Sequence, residues 1–147
     1  MNAHDAIVSA IVSALLASPP LAGGRVAEEA AFDALPEGVA QAISVAMVRS
    51  LAQAVLVGGG APIDWRTTVR IQCLARADAA GAGGRASRAL HAQVYARLMA
   101  DPTLGGLAGF IEPPALASDT ELLGSRLGAL TADYVVSHRT SATALDT

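Results

Sequence analysis

The residues of this 147-residue chain whose types could do chemistry are two glycine-rich runs, three histidines, one cysteine and an acidic pair. Gly81-Ala82-Gly83-Gly84, between a strand-like and a helix-like stretch, has the composition of a turn that lets a pyrophosphate approach a helix N-terminus. The stretch before it carries Arg70, Gln72 and Arg76, whereas a central parallel strand is apolar on both faces. The spacing also departs from G-x-G-x-x-G, because Ala86 fills the last position. The run therefore reads as a flexible loop. Gly58-Gly59-Gly60 is followed by Ala61-Pro62 instead of Lys and Ser or Thr, so it too reads as a loop and not a phosphate cradle.

His4, His91 and His138 are scattered, with no second ligand at metal spacing, and each is expected at a surface or an interface. His91, with Arg88 and Tyr95 on neighbouring turns, reads as the exposed side of a helix, with anion binding as the sharper alternative. Cys73 stands alone, which excludes an intrachain disulfide and fits a reducing cytoplasm. It reads as a small buried apolar residue. A dyad of Cys73 with His91 or His138 would be made in space, and nothing in the spacing supports one. Glu28 and Glu29 are adjacent in an extended segment and point to opposite sides, so they are not expected to share an acid–base site. With Asp33 and Glu37 they form an acidic loop, read as a solvated face or as a docking point for a partner's arginine. No catalytic, cofactor or metal residue is expected from these patterns.

The elements that would position these residues begin with an amphipathic helix over Ala6 to Ala17. Its stripe is Ile7, Val8, Ile11, Val12, Leu15 and Leu16, with Asn2 or Asp5 as its cap and Pro19-Pro20 as its stop. Asp5 stands where a signal peptide would carry Lys or Arg, and about a dozen residues are too few to span a bilayer. Leu21 to Gly38 reads as a short extended piece and a long loop. Ala40 to Arg49 reads as a strand, with Ile43, Val45 and Met47 on one face, although a helix competes there. Thr67, Val69, Ile71, Cys73 and Ala75 alternate with Thr68, Arg70, Gln72 and Arg76, as in a strand with one wet face that Leu74 interrupts. Arg85 to Met99 spaces Ala86, Leu90, Val94 and Leu98 as a helix, with Arg88, His91 and Arg97 mostly on other faces. Pro102 and Gly105-Gly106 stop it. Strands follow over Leu107 to Glu112, ended by Pro113-Pro114, and over Leu127 to Arg139, before a small polar tail, Thr140 to Thr147, expected to be disordered by itself. The order helix, β, β, helix, β, β predicts an α+β fold: a small antiparallel or mixed sheet with an N-terminal and a central helix packed on one face.

Length allows one domain, 1–147, able to bury a core without metal or disulfide. Apolar residues make up 52% but aromatics only 3%, so Ala and small aliphatics must do the packing. Such a subunit gains from assembly. All ten basic residues are Arg, which suits multidentate pairing at interfaces. The net charge of −3 disfavours a free-standing nucleic-acid binder.

One longer pattern remains. Leu35-Pro36-Glu37-Gly38-Val39 is followed by a β-prone segment, a Gly-rich loop and Pro62-Ile63-Asp64-Trp65-Arg66-Thr67-Thr68-Val69. After the Arg-containing strand comes a helix ending Leu98-Met99-Ala100-Asp101-Pro102-Thr103-Leu104-Gly105-Gly106-Leu107, then a last strand ending His138-Arg139-Thr140. Over roughly residues 5 to 141 this order resembles the small tail-terminator proteins, also called tail-completion or head–tail joining proteins, of long-tailed bacteriophages and prophages. The resemblance implies a non-enzymatic α+β subunit that forms a homo-oligomeric ring, six-fold by expectation, capping the tail tube and stopping its polymerisation. Its implied partners are the tail tube protein and the head-side connector, and its implied place is the tail–neck junction of a virion assembled in the host cytoplasm. DNA would pass through the lumen without sequence-specific binding, and no membrane is involved. Six copies at −3 each would carry −18, a lumen to which DNA does not stick. Arg66, Arg70, Arg76, Glu28 and Glu29 are the expected interface residues, the acidic loop alternatively facing the lumen. The alternatives are a neck or head-completion protein of the same particle and, in a different class, a small soluble α+β ligand-binding domain or enzyme.

Overall fold

In the computed structural model, which describes residues 1–29, 35–53, 60–119 and 124–146, the alternating stretch around Thr67 is an inner strand of one mixed sheet. The elements are α1 (Ala3–Leu16), a 3-10 turn (Leu21–Gly24), β1 (Val26–Glu28), β2 (Gln41–Gln53) and β3 (Ile63–Arg76), then α2 (Gly83–Ala100), β4 (Phe110–Ile111), β5 (Ala115–Ser118) and β6 (Leu127–Thr140). The sheet runs β1-β2-β3-β6-β4, with β5 also on β6. Among the described residues only the β1–β2 pairing is parallel; β2–β3, β3–β6, β4–β6 and β5–β6 are antiparallel. The expected α+β class, with both helices on one sheet face, is what the chain adopts.

Alternation does the positioning. On β3 the odd residues Thr67, Val69, Ile71, Cys73 and Ala75 are buried, and on β6 the even residues Leu130, Ala132, Tyr134 and Val136 face the same way. Ile7, Val8, Ile11 and Leu15 of α1 and Leu90, Val94 and Leu98 of α2 close over them in one core. Leu74, which breaks the polar alternation, is covered on the opposite face by Leu35 and Ala42. The Asn2 side chain caps α1 by accepting from the Asp5 N–H at 2.9 Å. Arg97 of α2 serves the other end of α1, donating to the carbonyls of Ala14, Ala17 and Pro19 at 2.8–2.9 Å. Its place off the apolar stripe of α2 is thus the place of a cap for a neighbouring helix.

Several expectations change in detail. β2 continues four residues past Arg49, through a bulge between Met47 and Arg49. The strand expected over Leu107 to Glu112 shrinks to Phe110–Ile111, because Leu104, Gly105 and Gly106 all take positive φ and the chain is still turning there. Pro113-Pro114 ends that strand, yet the chain resumes as β5 on the same edge. The polar tail expected to be disordered folds back as far as Asp146. The Leu145 carbonyl accepts the Ala3 N–H, one of the first-turn donors that a helix cannot satisfy itself. Asp33 of the acidic loop and Gly58-Gly59 of the second glycine run lie outside the described residues.

Gly83 and Gly84 belong to α2, not to a flexible loop. A Cβ on Gly128 would run into the Gly83 carbonyl, and one on Gly83 would meet the Leu127 carbonyl carbon at 2.5 Å. Here helix backbone rests directly on strand backbone. Because β3 pairs antiparallel on both sides, the strand–turn–helix is not part of a parallel dinucleotide-binding unit. Gly128→Ala is expected to cost about 1–3 kcal/mol or more through overpacking against rigid backbone. Gly84→Ala, which meets only the flexible Arg88 guanidinium at 3.3 Å, should be neutral or slightly stabilising. Urea unfolding of the two variants checks the contrast.

Candidate interaction surface

The sheet face without helices is a ladder of charge. Its side chains come from the even positions of β3 and the odd positions of β6, the wet phase of both strands. Arg66 grips Glu112 with two hydrogen bonds of 2.9 and 2.8 Å. Arg70 grips the cross-strand Asp133 at 2.9 and 3.1 Å, and Arg139 grips Asp64 at 2.6 and 3.1 Å. The Arg139 guanidinium holds the Asp64 carboxyl below the usual range. Arg76 donates to the Leu35 carbonyl at 3.0 Å and pins the covering segment over Leu74.

Of the five residues expected at an interface, Arg66 and Arg70 thus share the helix-free face, and Arg76 stands at the far end of β3. Glu28 closes β1, and Glu29 follows it with φ +51° and its N–H on the Val45 carbonyl. The structure does not bring the five together. The arginines are committed to partners within the chain, whereas the acidic pair borders the outer edge of β2.

Among the described residues that edge is sparsely covered. β1 pairs only with Ile43–Val45, and among the described residues no strand lies outside Ala46–Gln53. Met47, Val48 and Leu51 are 40%, 45% and 53% exposed along it. At the opposite margin Phe110 of β4 and Leu116 of β5 are 50% and 55% exposed. Edges of this kind present unpaired backbone groups and are normally blunted by charge or proline. Arg49 is the one charge within Ala46–Gln53, while the other margin carries Pro113-Pro114.

The histidines are the largest departure from the sequence reading, since none is a surface residue. His91 Nε2 lies 2.8 Å from the Tyr134 hydroxyl, and burial lowers its pKa. Ser87, Leu90, His91, Val94 and Leu98 are one buried stripe, a spacing that already holds His91 on the inner side. His4 and His138, 134 positions apart in sequence, meet edge to face with centroids 4.9 Å apart, beside Trp65. A chain of contacts joins them: His4 Nε2 to Ser50 Oγ at 3.0 Å, Ser50 Oγ to Thr67 Oγ1 at 2.7 Å, and Thr67 Oγ1 to His138 Nε2 at 2.7 Å. The Trp65 indole N–H donates to Thr140 Oγ1 at 2.9 Å and closes the cluster. The sequence signal was the inward phase of Thr67 and His138, but only the register places them together.

Chemically, Ser50 and His4 have the separation of a nucleophile and its base. Ser50 also shares its hydroxyl with Thr67, and the contacts tie His4 of α1 to β2, β3 and β6. Cys73 joins neither suggested dyad: His91 is bound to Tyr134, His138 to Thr67, and burial pushes the thiol up to about 12. At the N-terminus of α2, Arg85 and Arg88 border a recess of about 370 Å³ with Asp119 also on its lining, a mixed-charge setting for an anion. Among the described residues no group of three or more His, Cys, Asp or Glu is placed to hold a metal ion.

Burial, aided by His4, depresses His138 to about 4 from an ordinary 6.5. A histidine held neutral in the fold takes up protons first in the unfolded chain, so stability is full above about pH 6.5 and is lost as pH falls towards 4. Melting temperature should therefore drop on acidification through that window. His138→Phe should flatten most of the drop, leaving a residue from His91, at a cost of about 1 kcal/mol for the lost Thr67 bond. No protein-family model matches this chain, and no curated protein matches it either.

Proposed function

We propose that the chain is a structural virion protein, a tail terminator that forms a ring on the end of the tail tube, halts tube growth and offers its other side to the head-side connector. The observation that carries this reading is the division of labour on the surface. Many of the polar side chains that converge are engaged inside the chain, in three bidentate arginine–carboxylate pairs and one buried histidine cluster. Of the large exposed apolar side chains, Met47, Val48, Leu51, Phe110 and Leu116 lie along opposite margins of a single sheet, while Leu16, Tyr95, Met1 and Leu145 are on the helices and termini. Apolar groups left on two opposed margins suit a subunit that repeats head to tail, and a head-to-tail contact closes into a ring when its rotation closes. The ordered pattern from Leu35 to Thr140 supports the same reading. A neck or head-completion ring is the neighbouring role in the same particle.

In this role the work is binding. The partners are further copies of the chain, the tube protein and the connector, at the tail–neck junction of a particle assembled in the host cytoplasm. DNA passes through the lumen without sequence-specific contacts, as the net charge of −3 per copy favours. Native mass spectrometry with negative-stain imaging, on the protein alone and mixed with the tube protein of its particle, should show closed rings, either free or only at tube ends. A strict monomer at high concentration that also ignores tube ends would sink the proposal.

A further inference from the structure

Resting on the ring reading, we infer that the joint between copies is a continuation of the sheet, the outer edge of β2 pairing antiparallel with β5 of the next copy and Met47 lying opposite Leu116. Strand polarity requires nothing new. β3 runs against β2, β6 against β3 and β5 against β6, so β5 is antiparallel to β2. A copy added to the sheet edge in the same sense meets β5 with an antiparallel β2.

Backbone phase agrees. The Ile43 N–H and the Val45 carbonyl both bond towards β1, so odd residues of β2 ahead of the bulge turn their backbone groups outward, Met47 included. On β6 the Val135 and Ser137 carbonyls point to the β4 side, so odd β6 residues serve that edge. Asp133 and Thr131 then bond Ala115 and Ala117, and Asp119 continues the series on the Ala129 carbonyl, leaving Leu116 with its N–H and C=O outward. Among the described residues no strand lies outside Met47 or Leu116, and their outward groups suit a hydrogen-bonded antiparallel pair.

Side-chain faces agree as well. Met47 pairs in register with Val69 and Leu116 with Ala132, both on the helix-bearing face, whereas Leu51 pairs with Arg66 and Phe110 with Ser137, both on the helix-free face. Going along β6 from Ala132 to Ser137 one meets Leu116 and then Phe110, and going along β2 in the same direction one meets Met47 and then Leu51. The two apolar residues on each edge therefore arrive in the same order on the same faces.

The test is a cysteine pair. A hydrogen-bonded antiparallel pair has Cα atoms about 5.5 Å apart, inside the roughly 4.4–6.8 Å range of a disulfide. The native Cys73 is buried and stays out of the reaction. Oxidised Met47→Cys/Leu116→Cys protein should run as covalent multimers on non-reducing gels, while each single variant stays uncrosslinked. Leu116→Pro removes an outward N–H without touching the bonds of β5 to β6, so it should keep a wild-type circular dichroism spectrum and lose assembly. Rings of the oxidised double variant that stay uncrosslinked, rings that survive Leu116→Pro, or dimers from Met47→Cys alone would each overturn this joint while leaving the ring reading in place. Wild-type protein that never assembles, alone or on tubes, would remove the ring reading itself.

Discussion

The backbone contact between Gly83 and Gly128 sets the distance at which the rest of this chain packs. With aromatics at 3% of residues there are few large side chains to span a wide gap between helix and sheet. Close approach is what lets Ala, Val and Leu reach across, and close approach at the start of α2 needs two residues without a Cβ. Once α2 lies that low on β6, His91 falls within bonding distance of Tyr134, and Arg97 at the other end of the helix reaches the last carbonyls of α1. One steric permission thus propagates along eighteen residues of helix into the placement of a second helix.

Much of this was legible in the residues, and the divide follows a physical line. Period-two and helical spacing gave β3, β6, α1, α2 and the layer arrangement, because burial of one face is a local pattern. The strand reading of Ala40 to Arg49 also held, its Ile43 and Val45 being fully buried. What escaped were features made by register. His4, Ser50, Thr67 and His138 meet only because β2, β3 and β6 align at those positions and α1 lies over them. Arg66 with Glu112 and Asp64 with Arg139 are likewise pairs that no spacing announces. β5 was missed because Pro113-Pro114 looks like an end, although proline is at home on an edge strand.

The two faces of the sheet solve opposite problems. The helix-bearing face had to accept polar groups where α1 begins, and it did so by linking them in a file from His4 to His138 that leaves His138 Nδ1 buried with no partner among the described residues. The helix-free face kept its charges but tied Arg66, Arg70 and Arg139 each to a carboxylate on a neighbouring strand or edge segment, which stiffens the sheet across its width more than it adds stability, since exposed pairs are individually weak. Both choices leave the margins as places where the sheet's own apolar side chains meet water.

The bulge at Val48 has a consequence for how the molecule is encoded. A strand is a two-state counter, inward and outward, and one additional residue inverts the count for all that follows. Ahead of Val48, odd residues look towards the helices; behind it, Ser50 does, and Arg49 and Leu51 look away. The hydroxyl that links His4 to Thr67 and the apolar side chain at the sheet margin are therefore outputs of a single parity bit, stored in a residue that makes neither contact itself.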